Sequence, residues 1–178
     1  MLITISGLPG SGKTTVARLV ARDLDLEHVY AGDIFRREAE ACGLSLAAYL
    51  RRAESDSTID RRLDELMAVR AAQGRAVLEG RLAAVMAAQA GVDALKVFLE
   101  AGEEERARRI TGREGGATRE RLREIQEREA SDRRRYRDIY GVDYHDRSRY
   151  DLVIATDDRG PEELALTIVA RARERFPA

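Results

Sequence analysis

A phosphate-binding loop near the start of the chain constrains its fold more than any other feature. Residues 7–14 read Gly-Leu-Pro-Gly-Ser-Gly-Lys-Thr and match the P-loop pattern G-x-x-x-x-G-K-[ST] in full. The strand-like run Leu2–Ser6 precedes the loop, and apolar residues at helical spacing follow it. The glycines allow successive backbone N–H groups to converge on a phosphate chain, and the helix N-terminus adds partial positive charge. The loop therefore predicts phosphate binding.

The side chains of the loop predict which phosphates are bound. Lys13 is expected to reach the β- and γ-phosphates of a nucleoside triphosphate, and the Thr14 hydroxyl to ligate Mg²⁺. Only Lys13 and Lys96 are lysines among 31 basic residues, so lysine is kept where a compact ammonium is needed. The predicted ATP-binding residues are Gly7, Leu8, Pro9, Gly10, Ser11, Gly12, Lys13, Thr14 and Thr15.

Composition excludes several classes of protein. A chain of 178 residues with 44% hydrophobic and 35% charged residues fits one domain with an adequate core. The net charge of −1 predicts neither a nucleic-acid polymer nor a membrane as partner, and no apolar run approaches the roughly 18 residues of a membrane span. The N-terminus lacks a signal-peptide pattern. The single cysteine, Cys42, excludes an internal disulfide, fits a cytoplasmic location and is expected to be a small core residue.

Strand-like and helical segments alternate along the chain. The alternation predicts an α/β fold, a P-loop three-layer sandwich whose five-stranded parallel sheet carries helices on both faces. The predicted strands are Leu2–Ser6, Glu27–Ala31, Ala76–Glu79, Leu95–Leu99 and Leu152–Ala155. The predicted helices are Lys13–Asp23, Ile34–Cys42, Leu46–Glu54, Ile59–Gln73, Leu82–Ala90, Glu103–Arg113, Thr118–Tyr140 and Pro161–Arg175.

Two helical insertions interrupt the alternation. About three helices occupy residues 33–75, and two arginine-rich helices joined by Gly115-Gly116 occupy residues 103–148. We expect one P-loop kinase domain over residues 1–178, in which these two segments form a monophosphate-binding insertion and a mobile lid. The predicted core comprises residues 1–32, 76–102 and 149–178.

This plan and five short segments resemble the nucleoside monophosphate kinases, and most of all the short archaeal-type cytidylate kinases. The segments are Ile3–Thr14 with the P-loop, Ala31–Arg36, Leu78–Ala83, Arg109–Arg113 and the stretch from Arg128 to Ile154. The resemblance covers essentially the whole chain. It implies transfer of the γ-phosphoryl group of ATP to CMP or dCMP, within pyrimidine nucleotide metabolism in the cytoplasm. ATP and CMP or dCMP are then the expected partners of a monomer, with Mg²⁺ as cofactor.

Two segments at strand ends are candidates for the acceptor site. Asp33 follows a strand and is predicted to cap the next helix, which places Arg36 one turn in, where its guanidinium can hold a phosphate. Glu79 ends the third strand and can orient magnesium-bound water. Gly80 allows a close approach and Arg81 is a second candidate for the acceptor phosphate, and this Gly80-Arg81 junction resembles cytidylate rather than adenylate kinases.

Arginines on two helices are candidates for the transfer step. Arg109 and Arg113 share one helix face, and Arg128 shares another with Asp132 and Arg135. Two such faces repel each other unless an anion lies between them. The resemblance implies that Arg109, Arg113 and Arg128 act with Lys13 in catalysis, that Arg128 bridges the transferring phosphoryl group, and that Asp132 and Arg135 orient the acceptor nucleotide.

Other interpretations remain open from the sequence. A P-loop kinase with another acceptor, such as an adenylate, shikimate or gluconate kinase, has the same fold, and a nucleotide-binding switch shares the loop. The residues that read the base are unresolved, with the helix around Asp60, Arg61 and Asp64 as the first candidate. His28 and His145 have no sequence neighbour that suggests a metal or a base. The tyrosines of the lid, Tyr136, Tyr140, Tyr144 and Tyr150, are expected to pack against the core.

Overall fold

Five short strands pair into one parallel sheet in the computed structural model, which describes residues 1–177. The strands lie in the order β2-β3-β1-β4-β5, so the strand that leads into the P-loop is central. Their bounds are β1 Leu2–Gly7, β2 Glu27–Tyr30, β3 Ala76–Glu79, β4 Leu95–Glu100 and β5 Leu152–Ala155. The predicted fold class and all five predicted strands are confirmed.

Eight α-helices connect or flank these strands within residues 1–177. Their bounds are α1 Lys13–Asp23, α2 Ala31–Ala41, α3 Leu46–Ser55, α4 Ser57–Gln73, α5 Ala83–Gln89, α6 Glu103–Glu114, α7 Thr118–Tyr140 and α8 Pro161–Arg175. A 3₁₀ turn at Arg147–Arg149 precedes β5. None of these helices combines the length and the apolar character needed to cross a bilayer.

The alternation of side chains along the strands separates two apolar layers. Ile3 and Ile5 of β1 face α1 and α8, where Val20 and Ile168 are fully buried. Leu2 faces the opposite layer, which is built from α4, α5 and the end of α7. Burying both faces of the sheet in this way is what a parallel sheet requires.

Each insertion has a small apolar cluster of its own. Helices α2, α3 and α4 pack around Phe35, whose ring meets that of Tyr49 edge-on at 4.9 Å between centroids. Helices α6 and α7 pack through Ile110 and Ile125. The phosphate loop therefore lies between a fixed core and two helical units.

Several local predictions are tested by these elements. Asp33 is not a helix cap: α2 begins at Ala31, so Asp33 lies in the first turn and makes no capping hydrogen bond. Cys42 is exposed rather than in the core, because it follows the last turn of α2 beyond the inward-facing Ala39. The tyrosine prediction is confirmed, since Tyr136, Tyr144 and Tyr150 are buried in the layer beside α4 and Tyr140 packs against it.

Candidate active site

The P-loop wraps the N-terminus of α1 at the carboxyl end of the central strand. Gly10 and Gly12 take left-handed backbone conformations with φ of 80° and 85°. Gly12 precedes the first helical residue and offers no capping side chain, so the first N–H groups of α1 have no partner within the helix. Ser11 is buried and its hydroxyl has no hydrogen-bond partner. This concave set of free donors suits a phosphate chain.

Positive charge converges on Lys13. Its ammonium folds back over the loop and donates to the carbonyl of Leu8 at 2.6 Å. Removal from bulk water, together with the nearby charges of Arg81, Arg128 and Arg106, lowers the Lys13 pKa to about 7 against the opposing effect of Glu79. A group of like charges this close is favourable only when an anion lies among them.

Arg128 is the least compensated of these cations. Its Nε is buried and has no hydrogen-bond partner. The charge of Arg81 and then burial lower the Arg128 pKa, which reports repulsion between the two guanidiniums. Arg81 itself has its Nε 2.5 Å from Oδ2 of Asp132, without the alignment of a hydrogen bond. Lys13, Arg81 and Arg128, all candidates from the sequence, are thus brought together.

Glu79 joins the P-loop to the edge of the sheet. It is fully buried, and the Thr14 hydroxyl donates to its Oε1 at 2.7 Å. A hydroxyl and a carboxylate side by side at the phosphate loop are the oxygen donors that Mg²⁺ takes beside nucleotide phosphates. These two residues therefore fit a magnesium ion, as expected from the sequence.

His28 has a partner that the sequence did not reveal. Its Nε2 lies 2.9 Å from Oε2 of Glu79, so the interpretation that His28 has no partner suggesting a metal or a base is wrong. The contact depends on strand register, which pairs Tyr30 with Glu79 and His28 with Val77. Within the sequence, only the i, i+2 spacing of His28 and Tyr30 on a short strand hinted at a shared face.

Arg106 is a second residue that sequence reasoning missed. It is almost fully buried, and it donates to the carbonyls of Pro9 and Ala101, each at 3.1 Å, and pairs with Glu129 of α7. A Cβ on Gly10 would lie 2.7 Å from its carbonyl oxygen, so the loop and α6 touch through backbone. Among so many arginines, nothing but helical position distinguished this one.

Arg109 lies beside Thr156, near the end of the P-loop. It donates to the hydroxyl and the carbonyl of Thr156 at 2.9 and 2.7 Å and pairs with Glu105 at 2.7 Å. A cavity of about 210 Å³ opens beside it, lined in part by Gly12, Arg109, Thr156 and Pro161. Arg113, by contrast, is exposed on the last turn of α6 and pairs with its neighbour Glu114.

Arg36 is held by side chains at the end of β2 and the start of α2. It pairs with Asp33 at 2.6 Å, donates to the Tyr30 hydroxyl at 3.1 Å and lies 5.2 Å from the centroid of the Tyr30 ring. A Cβ on Gly32 would lie 2.5 Å from that ring, so the glycine makes room for it. Gly80 makes similar room for Ala31, at 3.1 Å.

Asp132 and Arg135 lie in a buried ion-pair chain rather than on an open surface. Arg135 donates to Asp60 of α4 at 2.7 Å and to Asp132 at 3.0 Å, and Asp132 in turn meets Arg81. Asp64, one turn beyond Asp60, accepts a hydrogen bond from Tyr140 at 2.7 Å. Burial raises the Asp64 pKa to about 7, helped by the charge of Asp60 and opposed by Tyr140.

Comparison with known proteins gives one consistent family. The model of the cytidylate kinase-like family matches residues 2–158. The cytidylate kinase of Methanopyrus kandleri is 46% identical over 179 residues, covering 97% of this chain and 92% of that protein. The cytidylate kinase of Pyrococcus horikoshii is 43% identical over 162 residues, covering 91% and 83%.

Solved structures agree on the fold. Shikimate kinase from Aquifex aeolicus superposes with a TM-score of 0.63 at 19% identity, and all of each chain is covered. An uncharacterized protein from Eubacterium ventriosum gives a TM-score of 0.72 at 17% identity over 96% of this chain and 97% of that one. At such identities the likeness extends to the P-loop kinase fold and not to the acceptor.

Proposed function

The chain belongs to the cytidylate kinase-like family, and from that membership we propose that it transfers the γ-phosphoryl group of ATP to CMP or dCMP, giving ADP and CDP or dCDP. The observation that carries the proposal is the cluster of Lys13, Arg81 and Arg128, in which the buried Nε of Arg128 has no hydrogen-bond partner. Burial and then the charges of Arg81 and Arg128 lower the pKa of Lys13, and the charge of Arg81 and then burial lower that of Arg128. A donor triphosphate and an acceptor monophosphate supply the anions that such a group needs.

The residues support transfer by positioning and charge neutralisation. The acceptor phosphate is already an anionic nucleophile, so the reaction needs no general base. Lys13 and Arg128 bind the transferring group, and Arg81 and Arg36 hold the acceptor phosphate from two sides. An arginine delivered to this transition state contributes roughly 10³–10⁵ in rate. Bound Mg²⁺, held by Thr14 with Glu79 behind it, would neutralise charge on the donor phosphates.

The donor base has a matching place. We assign the adenine to the cavity between Arg109 and the loop that begins at Thr156, because it adjoins the P-loop residue Gly12. The two hydrogen bonds from Arg109 to Thr156 hold the guanidinium beside that cavity. Arg113 is assigned to catalysis only through movement of the end of α6, since it is exposed and paired with Glu114.

The acceptor base is assigned to the inward face of α4. Both carboxylate oxygens of Asp60 face Arg135, whereas Asp64 is engaged only through Tyr140. A carboxylate accepts from the exocyclic amine of cytosine and repels the corresponding carbonyl of uracil. Asp64 is therefore the favoured reader of the base, with Arg61 near the Tyr140 ring as its neighbour.

Initial rates with CMP, dCMP, UMP, AMP and GMP under one set of conditions test the assignment. We expect CMP and dCMP to give the highest kcat/KM, UMP less, and the purine monophosphates very little. ATP turnover without an acceptor should be negligible, which separates a kinase from a nucleotide-binding switch. A higher kcat/KM for AMP than for CMP would show an adenylate kinase of the same fold.

Variants of Lys13 and Arg81 test the assigned roles. Lys13→Ala should abolish turnover and leave the fold intact, because its charge is needed most in the transition state. Arg81→Ala should chiefly raise the KM for CMP, since its target phosphate is present throughout. Lys96→Ala, which removes the other lysine, is the matched control for Lys13. Near-normal turnover in Lys13→Ala would contradict the proposal.

We further propose that the enzyme acts as a monomer in the cytoplasm. Its single free cysteine is exposed, which suits a reducing compartment. Light scattering after size exclusion, with and without nucleotides, tests the monomer, and a stable dimer at assay concentration would contradict it. Fractionation of the source cells tests the location.

A further inference from the structure

The second strand carries a histidine that the phosphoryl-transfer mechanism does not use. We propose that His28 is a positioning residue that fixes the carboxylate of Glu79 behind the Thr14 hydroxyl and thereby raises the affinity for magnesium-bound ATP. The inference rests on the proposed function of the P-loop.

Strand register brings His28 to this place. In the parallel pair β2–β3, His28 stands opposite Val77 and Tyr30 opposite Glu79. These residues therefore share the face of the sheet on which Val77 packs against α1. His28 is thus a diagonal neighbour of Glu79, within reach of a long side chain. The same face brings Thr14, in the first turn of α1, to Glu79.

The two contacts use both oxygens of the carboxylate. Thr14 donates to Oε1 at 2.7 Å and His28 lies 2.9 Å from Oε2. A carboxylate only accepts hydrogen bonds, so Nε2 of His28 carries the proton in this pair. With one donor on each oxygen, Glu79 cannot rotate without losing a bond. Glu79 is fully buried in the intact protein, so its two oxygens depend on these neighbouring side chains.

The strand that carries His28 also contacts the acceptor side of the site. β2 is an edge strand, and only a small part of the His28 side chain reaches solvent. Its ring stacks on that of Tyr30 with an interplanar angle of 12° and 6.2 Å between centroids, which holds it over Glu79. Because Tyr30 accepts from Arg36, one short strand supports both the metal side and the acceptor side of the site.

The test compares ATP affinity with Mg²⁺ and with a chelator, by calorimetry on the full chain. Loss of a partner that orients a metal ligand costs about 10–100-fold in metal affinity. His28 acts through Glu79, so we expect His28→Ala to cut the magnesium-dependent gain in ATP affinity about 3- to 10-fold. ATP affinity in chelator should not change. Mn²⁺ titration followed by electron paramagnetic resonance reads the metal directly.

Three further variants separate positioning from a structural role. His28→Gln keeps a hydrogen-bond donor near the position of Nε2 and should restore most of the magnesium-dependent gain in ATP affinity. This variant keeps the test valid if His28→Ala proves less stable. Adding His28→Ala to Glu79→Gln should cause no further loss, because the path runs through that carboxylate. His145→Ala removes the other histidine and should leave the gain unchanged.

The outcomes distinguish this inference from the proposed function. An undiminished magnesium-dependent gain in His28→Ala, or an equal loss in the Glu79→Gln background, would overturn the positioning role while the kinase assignment stands. Wild-type protein that binds ATP no better with Mg²⁺ would overturn the proposed function, and this inference with it.

Discussion

What a single residue does in this site depends on its neighbours more than on its residue type. Arg128 and Arg135 are the same type of residue on the same helix. Arg135 forms ion pairs with Asp60 and Asp132, whereas the Nε of Arg128 has no hydrogen-bond partner. Gly32 has an ordinary backbone conformation, and its lack of a side chain matters only because the Tyr30 ring occupies that space. We therefore propose that the charge of Arg128 and the missing side chain of Gly32 serve substrate binding.

Arg128→Met should make the protein more stable and nearly inactive. The substitution keeps apolar length and removes a cation that Arg81 repels, so we expect about 1 kcal/mol of added stability and at least a 10³-fold loss of kcat. Denaturant unfolding and steady-state kinetics measure the two effects. Arg123→Met, at an exposed site of the same helix, is the control. A destabilised Arg128→Met variant would show that the free cation is not a cost to the fold.

Gly32→Ala should weaken acceptor binding selectively. The added methyl group would lie 2.5–2.6 Å from atoms of the Tyr30 side chain, so the ring must move and Arg36 loses its hydroxyl partner. We expect the KM for CMP to rise about 5- to 10-fold, which corresponds to roughly 1–1.4 kcal/mol, and the KM for ATP to rise less, because Tyr30 reaches the ATP side only through its stacking on His28. Gly112→Ala, where a methyl group meets nothing within 4 Å, is the control. An equal rise in both KM values would refute a selective effect.

At the scale of elements, α6 and α7, the two helices that we predict to form a lid, are held more firmly than their sequence suggests. Arg106 binds the start of α6 to the P-loop, and Arg109 is held by Glu105 and Thr156. The far ends of the helices meet at Gly115 and Gly116, both with left-handed φ. These contacts hold the start of α6 in place, so the movable part is shorter than the predicted lid of residues 103–148. We place it near residues 110–125.

Amide exchange tests this narrower lid. A bisubstrate analogue that links adenosine to cytidine through phosphates should slow exchange over residues 110–125 substantially, and CMP alone should slow it much less. Amides at 106–109 should be protected in every state, because the N–H of Arg106 donates to the Gly102 carbonyl and its side chain binds the P-loop. Equal protection of residues 110–125 with and without the analogue would mean that α6 and α7 form a fixed charged face.

At the scale of the whole molecule, the strands of the sheet were predictable because each is specified by the residues within it and next to it in the sequence. Strands β1, β3, β4 and β5 are short, mostly apolar runs, and β3 and β5 begin and end where the pattern predicts. The partners of His28, Arg106 and Asp60 were not predictable, because each depends on which strand or helix lies beside it. The P-loop is the exception: its motif specifies a local geometry, so Lys13 and Thr14 could be assigned from sequence.

The stability of the whole molecule should depend on pH through Asp64. Burial raises its folded pKa to about 7, above the roughly 3.9 of an unfolded aspartate, so the folded state binds the proton more tightly. The stabilisation that this proton gives is complete below pH 4 and is lost as the pH rises to 7. Asp64→Asn should remove this loss and gain roughly 2–4 kcal/mol over wild type at pH 8, with little difference at pH 4.

Urea unfolding of both proteins across pH 4–8 gives the comparison. Asp138→Asn, at an exposed site on α7, should differ from wild type in stability by the same amount at every pH. If Asp64 reads the base, the same variant also narrows the preference for CMP over UMP. A difference between wild type and Asp64→Asn that stays constant with pH would mean that this carboxyl is ionised in the fold.

Helix α7 is a continuous helix of 23 residues whose two ends are held differently. Its C-terminal part is fixed by Arg135 and the buried Tyr136, while its N-terminal end lies at the glycine junction. At about 1.5 Å per residue, a tilt of about 10° around Tyr136 displaces Thr118 by about 5 Å but Arg128 by only about 2 Å. We propose that such a tilt opens the entrance of the site widely and moves Arg128 only slightly. The number of residues between Tyr136 and Arg128 would then set how far this arginine travels when the site opens.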